Sequence, residues 1–285
     1  MNSTIAANYL KKLDFQGTFL PTLANLKALL SLHVAHIPFG NLSSFLGDEV
    51  SLVTEQLNQK LLCENREGYC LEHSTLTRIA LTELGYDAYN VLGRVYYQST
   101  PKTASIRTHL VTLVRIDQQL FLYDPGFGGM TPTTILSLDR IGEAQSTPLE
   151  PFRFVDVAQC GLDMAVLTDM KYMLQVFLHN EWINVYAINP EQQITMADAE
   201  IANWYISTSP ESLFTQHLML FTATTEARIT LKDRILRIHS KEESHKKILS
   251  TWSEFEETIQ EVFKIEINSQ KLKQVWDKLT LIESV

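Results

Sequence analysis

Cys70, His109 and Asp124 are the residues of this sequence whose types and order could do nucleophilic chemistry. A thiol beside an imidazole can form a thiolate–imidazolium pair that is nucleophilic at neutral pH. A carboxylate on the other ring nitrogen then fixes tautomer and orientation. Each residue also has a plain reading. Cys70 could be a small buried hydrophobe, His109 a strand residue facing solvent, and Asp124 the start of a turn before Pro125-Gly126. The order Cys, His, Asp, each at the end or edge of an expected element, favours chemistry. It does not separate acyl transfer from peptide hydrolysis.

The elements that must position these residues are legible around them. In Arg66-Glu67-Gly68-Tyr69-Cys70-Leu71-Glu72-His73 a glycine turn leads into a helical run. Apolar residues at 76, 79, 80, 81 and 84 share one face of a 3.6-residue period, which predicts a helix over 71–84. Gly85 suits its left-handed cap. Cys70 thus falls at or just before a helix N-terminus, where free N–H groups and the macrodipole favour a thiolate. Arg107–Ile116 reads as a strand, Asp117-Gln118-Gln119 as a tight connection, and Leu120–Asp124 as the hairpin partner. Antiparallel pairing would bring His109 and Asp124 together. In Gly126-Phe127-Gly128-Gly129 the backbone could approach a ligand closely, its N–H groups holding phosphate or an oxyanion. Any tight turn can look the same.

The rest of the chain reads in three stretches. Residues 1–65 look helical: a short helix from Ile5 towards Gly17, a second from Pro21-Thr22 to just before Pro38, a turn containing Gly40-Asn41 and Gly47-Asp48, and a third helix through Leu52–Leu62. From Tyr86 the period becomes two, with Tyr89, Val91, Val95 and Tyr97 in alternation, and strands are expected near 152–157, 164–168, 171–179 and 182–186. This middle third suggests an antiparallel barrel. A helix from about Asp198 to Thr208 ends at Ser209-Pro210-Glu211-Ser212. Strands at 218–222, 227–231 and 235–239 and helices near 251–262 and 270–280 complete the chain. His33 and His36 can share a helix face, but no third ligand is evident, and Cys70 and His73 lack a matching zinc pair. No metal is expected.

Composition sets the class. The 285 residues suffice for one large domain or two to three small ones. A net charge of -9 gives no global attraction to nucleic acid or anionic membranes, so an anionic ligand needs local N–H-rich or basic sites. Cys63, Cys70 and Cys160 cannot all pair. No basic start precedes an apolar run, and no apolar stretch approaches spanning length. The expectation is a soluble protein of a reducing cytoplasm.

With these motifs in hand, the chain resembles an arylamine N-acetyltransferase over nearly its whole length. Tyr9-Leu10-Lys11-Lys12-Leu13-Asp14-Phe15-Gln16-Gly17, Pro21-Thr22-Leu23 and His33–Leu42 resemble the family's opening. Arg66–Glu72 resembles its Arg-Gly-Gly-aromatic-Cys-aromatic-Glu signature. Thr108-His109 and Asp124–Gly129 match its histidine strand and aspartate loop, and Ser207–Phe214 a late motif.

The resemblance implies an α+β fold with a cysteine-protease-like core: an N-terminal helical bundle (1–85), a central antiparallel β-barrel (86–195) and a C-terminal α/β lid (196–285). It implies a Cys70–His109–Asp124 triad, acetyl-CoA as acyl donor, and an arylamine, arylhydrazine or N-hydroxyarylamine as acceptor. Phe39 and Phe127 would line the acceptor pocket, and Thr108, Gly126, Gly128 and Ser212 would approach CoA. Glu67 departs from the usual glycine, Leu71 from the usual aromatic, His73-Ser74 from an amide-bearing pair, and Pro125 from a small apolar residue. A left-handed backbone at residue 67 would strain a glutamate, and a surface pairing with Arg66 is the plainer expectation. The rivals are an enzyme of this fold that uses another acyl-CoA or forms a biosynthetic amide, a cysteine hydrolase, and a binding protein without turnover.

Overall fold

The structure, a computed structural model, describes residues 4–99 and 101–283. Five helices come first: α1 (Ile5–Lys12), α2 (Leu23–His36), α3 (Leu42–Leu46), α4 (Thr54–Leu57), which runs on through a π-helical turn to Cys63, and α5 (Cys70–Glu83). Thr22 caps α2 as its side chain accepts from the Asn25 N–H at 3.2 Å. Gly85, at φ +93°, turns the chain after α5. The segment between α2 and α4, expected as a turn, also holds a two-residue strand, β1 (Phe39–Gly40), and the one-turn α3.

Seven strands follow: β2 (Asp87–Val95), β3 (Arg107–Ile116), β4 (Gln119–Tyr123), β5 (Leu136–Ser137), β6 (Phe152–Asp156), β7 (Tyr172–Leu178) and β8 (Glu181–Ile188). They form an antiparallel sheet in the order β5-β4-β3-β2-β8-β7-β6. Bridges from Ile141 and Gln145 to β6 nearly close it into a barrel. The expected strand at 164–168 is instead a 3₁₀ turn, Met164–Val166. There the Asp163 side chain accepts from the Ala165 N–H at 2.8 Å, giving the backbone a local alternative to a ladder.

Alternation along β3 decides which side each residue serves. Val111 and Leu113 pack with the barrel interior. Leu110 and Val114 join the cluster that contains α5 and the N-terminal helices. His109 shares the parity of Val111, so it points to the interior side at the strand's early end. The β3–β4 turn places Asp117 and Gln118 at φ 48° and 67°, the left-handed pair of a two-residue hairpin.

The C-terminal part contributes α6 (Met196–Thr208), α7 (Leu213–Gln216), β9 (Met219–Ala223), β10 (Ala227–Lys232), β11 (Ile235–Ser240), β12 (Ser244–Ile248), α8 (Trp252–Glu257, continued as a π turn to Val262) and α9 (Ser269–Glu283). Its sheet runs β1-β9-β10-β11-β12, so a strand from the N-terminal third forms one edge. Gly40 is the joint. It pairs with Leu220, and its N–H donates to the Gly68 carbonyl at 2.8 Å. A Cβ there would meet the Leu220 side chain and come within 2.5 Å of Glu67 Cγ. Among the described residues, no helix is long and apolar enough to cross a membrane.

Gly40→Ala should therefore destabilise the fold by about 1–3 kcal/mol, the usual cost of forcing a methyl into a packed contact. Urea denaturation measures this, and an unchanged midpoint would mean that β1, β9 and the turn before α5 are not tightly joined.

Candidate active site

Cys70 is the first residue of α5 and is 4% exposed. The turn before it is built from close approaches. A Cβ on Gly68 would lie 3.0 Å from Leu61 Cδ2 and 3.1 Å from Glu72 Cβ. The Tyr69 N–H donates to the Glu72 carboxylate at 3.0 Å, which meets one of the donors a helix start leaves unpaired. Lys60 donates to the other carboxylate oxygen at 2.6 Å. Burial pushes the Glu72 pKa up, while Lys60 and the Tyr69 N–H oppose that rise. Glu67 is paired with Arg66, Nε to Oε2 at 3.2 Å, but it is fully buried rather than on the surface. It is not among the residues of positive φ, so a glutamate is unstrained there. Leu71 is fully buried, and the Ser74 hydroxyl donates to the Leu110 carbonyl at 2.6 Å, tying α5 to β3.

Around the thiol three elements converge. Cys70 Sγ lies 3.6 Å from the Thr108 carbonyl oxygen, next to the His109 ring whose positive charge it favours. His109 Nε2 donates to Asp124 Oδ2 at 2.9 Å, which leaves Nδ1 for the thiol. Asp124, 1% exposed, also accepts from the Tyr186 hydroxyl at 2.7 Å and from the Gly126 N–H at 3.1 Å. Burial by itself disfavours a charged His109 ring. The Asp124 charge and hydrogen bond, aided by Cys70, outweigh it and push the imidazole up to about 10. The ring is therefore a cation at neutral pH. Burial, then the Asp124 charge, pushes the Tyr186 phenol up, so it stays a donor.

The other expected site residues are distributed as follows. Phe127 is half-buried with its ring edge-on to His109, centroids 4.9 Å apart. Phe39 is buried, stacked on His73 at 6.4 Å and edge-on to Phe214 at 5.9 Å. Gly128, at φ +83°, faces it, and a Cβ would sit 3.2 Å from the Phe39 ring. A Cβ on Gly126 would lie 2.9 Å from Cys70 Cα, so the aspartate loop rests directly on the start of α5. Thr108 is half-buried beside the thiol. Ser212 caps α7, donating to the Ile206 carbonyl at 2.6 Å and accepting from the Phe214 N–H at 3.2 Å. Cys70, Thr108, His109, Asp124, Gly126 and Phe127 thus meet at one place. Phe39 and Gly128 form the adjoining layer, and Ser212 lies behind Phe214.

Tyr186 and the Glu72–Lys60 brace escaped the sequence reading. Glu72 stands three residues after the N-cap, where a capping box puts its acid, but an aromatic N-cap hides that pattern. Tyr186 lies 62 residues beyond Asp124 and has no local signal. His33 bonds to His73 rather than sharing a ligand site with His36. Among the described residues, no group of three or more His, Cys, Asp or Glu could hold a metal.

A family model described as N-acetyltransferase matches residues 22–272. The chain is 32% identical to an arylamine N-acetyltransferase of Mycobacterium tuberculosis over 263 residues, 91% of this chain and 88% of that protein. It is 33% identical over 215 residues to a Salmonella typhimurium protein named arylamine N-acetyltransferase / N-hydroxyarylamine O-acetyltransferase, covering 74% of this chain and 70% of that one. Its fold is similar to that of the Mycobacterium marinum arylamine N-acetyltransferase solved in complex with CoA: TM-score 0.86, 33% identity, covering 95% of this chain and 98% of that one.

The two histidines nearest Cys70 should titrate in opposite directions. Histidine-selective ¹⁵N NMR should find His109 cationic until about pH 10 and His73 neutral down to about pH 4, where burial holds it. For His73 the unfolded chain takes the proton first, so its contribution to stability is lost as pH falls from about 6.5 to 4, by roughly 3 kcal/mol. For His109 the sign is opposite: its contribution is present below about pH 6.5 and is lost as pH rises towards 10. A His109 ring that titrates near pH 6.5 would contradict this electrostatic account.

Proposed function

The chain belongs to the arylamine N-acetyltransferase family of acyltransferases, and on that premise we propose that it carries the acetyl group of acetyl-CoA on Cys70 to an arylamine or arylhydrazine nitrogen. The observation that carries this reading is the meeting of Cys70, at the start of α5 and 3.6 Å from the Thr108 carbonyl, with the next residue His109, whose ring Asp124 holds at 2.9 Å. The Mycobacterium marinum relative, solved with CoA, supports the choice of donor.

The mechanism follows from that arrangement. The Cys70 thiolate attacks the thioester carbonyl carbon, and the C=O electron pair moves onto oxygen. Peptide N–H groups of the first turn of α5, which a helix cannot satisfy internally, are the donors proposed for that oxyanion. Collapse breaks the bond to the CoA sulfur, which takes the proton from His109 Nδ1 and leaves as the thiol. The acceptor nitrogen then attacks the acetyl carbon, the neutral ring takes its proton, and the Cys70 sulfur leaves to restore the ion pair. Asp124 keeps its charge throughout and holds the ring by Nε2.

Phe127, half-buried against His109, forms one wall for the aromatic acceptor, and Phe39 shapes the pocket from behind Gly128. Thr108, Gly126, Gly128 and Ser212 serve the donor, chiefly through the backbone they hold. The Salmonella relative's second activity supports N-hydroxyarylamine oxygen as a further acceptor. Cys63, Cys70 and Cys160 are all free thiols, which suits a reducing cytoplasm.

Intact-protein mass spectrometry after mixing with acetyl-CoA alone tests the first half-reaction. One added acetyl group is expected on the wild type and none on Cys70→Ala, whereas acetylation that persists in the variant places the nucleophile elsewhere. Initial rates at several fixed acceptor concentrations should give parallel double-reciprocal lines. Intersecting lines would require a ternary complex and remove the acyl-enzyme from the mechanism. Hydrolysis of peptides without CoA would favour the hydrolase reading.

A further inference from the structure

Behind the nucleophile runs a second buried series of polar side chains that the acetyl-transfer chemistry does not use. His73, one turn after Cys70 on α5, bonds through Nε2 to the Gly68 carbonyl at 2.9 Å. Its Nδ1 meets His33 Nε2 of α2 at 2.6 Å. His33 Nδ1 meets the Tyr9 hydroxyl of α1 at 2.7 Å, and that hydroxyl meets the Tyr123 hydroxyl at 2.7 Å. All four side chains have no exposure to solvent.

The direction of every proton in this series is determined. A carbonyl only accepts, so His73 carries its proton on Nε2. With a neutral ring, His73 Nδ1 is bare and must accept from His33 Nε2–H. His33 Nδ1 is then bare and accepts from the Tyr9 hydroxyl, whose oxygen in turn accepts from Tyr123. Burial keeps both rings neutral and both phenols protonated. Two imidazoles and two phenols are costly to bury unless each polar atom is paired, and here each is paired in one consistent order.

The ends of the series are what give it meaning. One end is the carbonyl of Gly68, two residues before Cys70. The other is Tyr123, the residue before Asp124. The Gly126 contact with Cys70 Cα joins the same two segments on the other side, where a Cβ would also lie 3.1 Å from His73 Cβ. We propose that Tyr123, Tyr9, His33 and His73 are positioning residues, a one-directional hydrogen-bond series through α1 and α2 that keeps the Cys70 turn in register with the aspartate strand. The proposal rests on Cys70 being the acetylated residue. It assigns to the first two helices a part in the acylation step, although neither supplies a group that touches the reacting atoms.

The test is single-turnover acylation by acetyl-CoA, far below the thermal midpoint, in Tyr9→Phe. That variant keeps the ring and removes only the hydroxyl that joins His33 to Tyr123. Acylation should slow by about tenfold to a hundredfold, the scale of a misplaced nucleophile, while the donor concentration giving half-maximal rate changes less than about twofold, because no group facing the donor is altered. Tyr123→Phe, which removes the terminal donor alone, should slow acylation less than Tyr9→Phe. In the wild type, ¹⁵N NMR should show both His33 and His73 as Nε2–H tautomers. Unaltered acylation in a Tyr9→Phe protein of lowered thermal midpoint would reduce the series to core structure and overturn the proposal. So would an Nδ1–H tautomer at either histidine, a readout that holds even if Tyr9→Phe fails to fold. A wild type that takes no acetyl group on Cys70 would instead sink the reading on which the proposal rests.

Discussion

A carboxylate almost sealed from solvent must find its counter-charge and donors inside the protein, and Asp124 is such a group. An uncompensated buried charge costs several kcal/mol even after the surroundings relax. Here the compensation comes from His109, Tyr186 and the Gly126 N–H. Meeting that need fixes three things at once. The ring is held as a cation in the resting protein, so a positive partner stands beside the thiol before any proton is passed on. The chain must turn back immediately after β4 so that Gly126 can reach the carboxylate. The turn then lies against Cys70 Cα, where only a glycine fits.

The Cys70 side answers a matching constraint. A helix that begins at a buried residue brings unpaired N–H groups with it. Glu72 takes one of them and is itself neutralised by Lys60. Glu67, the clearest departure from the family signature, lies beneath the same turn with its charge matched by Arg66. Three residues before Cys70 there is thus a paired ion rather than a bare carboxylate. Buried pairs of this kind add little net stability, but they fix the orientation of what they touch. That is the contribution the start of α5 requires.

The sequence made the site legible wherever local rules act alone. Gly68 and Gly85 bracket α5, the run Arg107–Ile116 reads as the strand that β3 is, and Pro125-Gly126 ends β4. These suffice to bring Cys70, His109 and Asp124 to element ends that can meet. What stayed hidden is set by distant partners. Strand β5 has two residues and exists because β4 offers it an edge. Strand β12 is Ser244–Ile248, exposed throughout and rich in charge, so no apolar alternation announces it. The 3₁₀ turn at Met164–Val166 has a strand-like composition, but Asp163 caps it locally. Glu67 reads as a surface residue because nothing nearby in sequence shows that Gly40 closes over it. Likewise His33 reads as a neighbour of His36, whereas its partner lies 40 residues away on another helix.

On the proposed chemistry, the thiol is reactive because a carboxylate-held imidazolium stands beside it. Rapid-quench measurement of the acylation rate in His109→Gln, Asp124→Asn and the double variant addresses it directly. Each single change should slow acylation by about 10⁴-fold, the scale seen when a triad carboxylate is neutralised. The double variant should be little slower than either, since members of one cooperating unit do not act additively. A near wild-type acylation rate in His109→Gln, or two losses that multiply in the double variant, would contradict it.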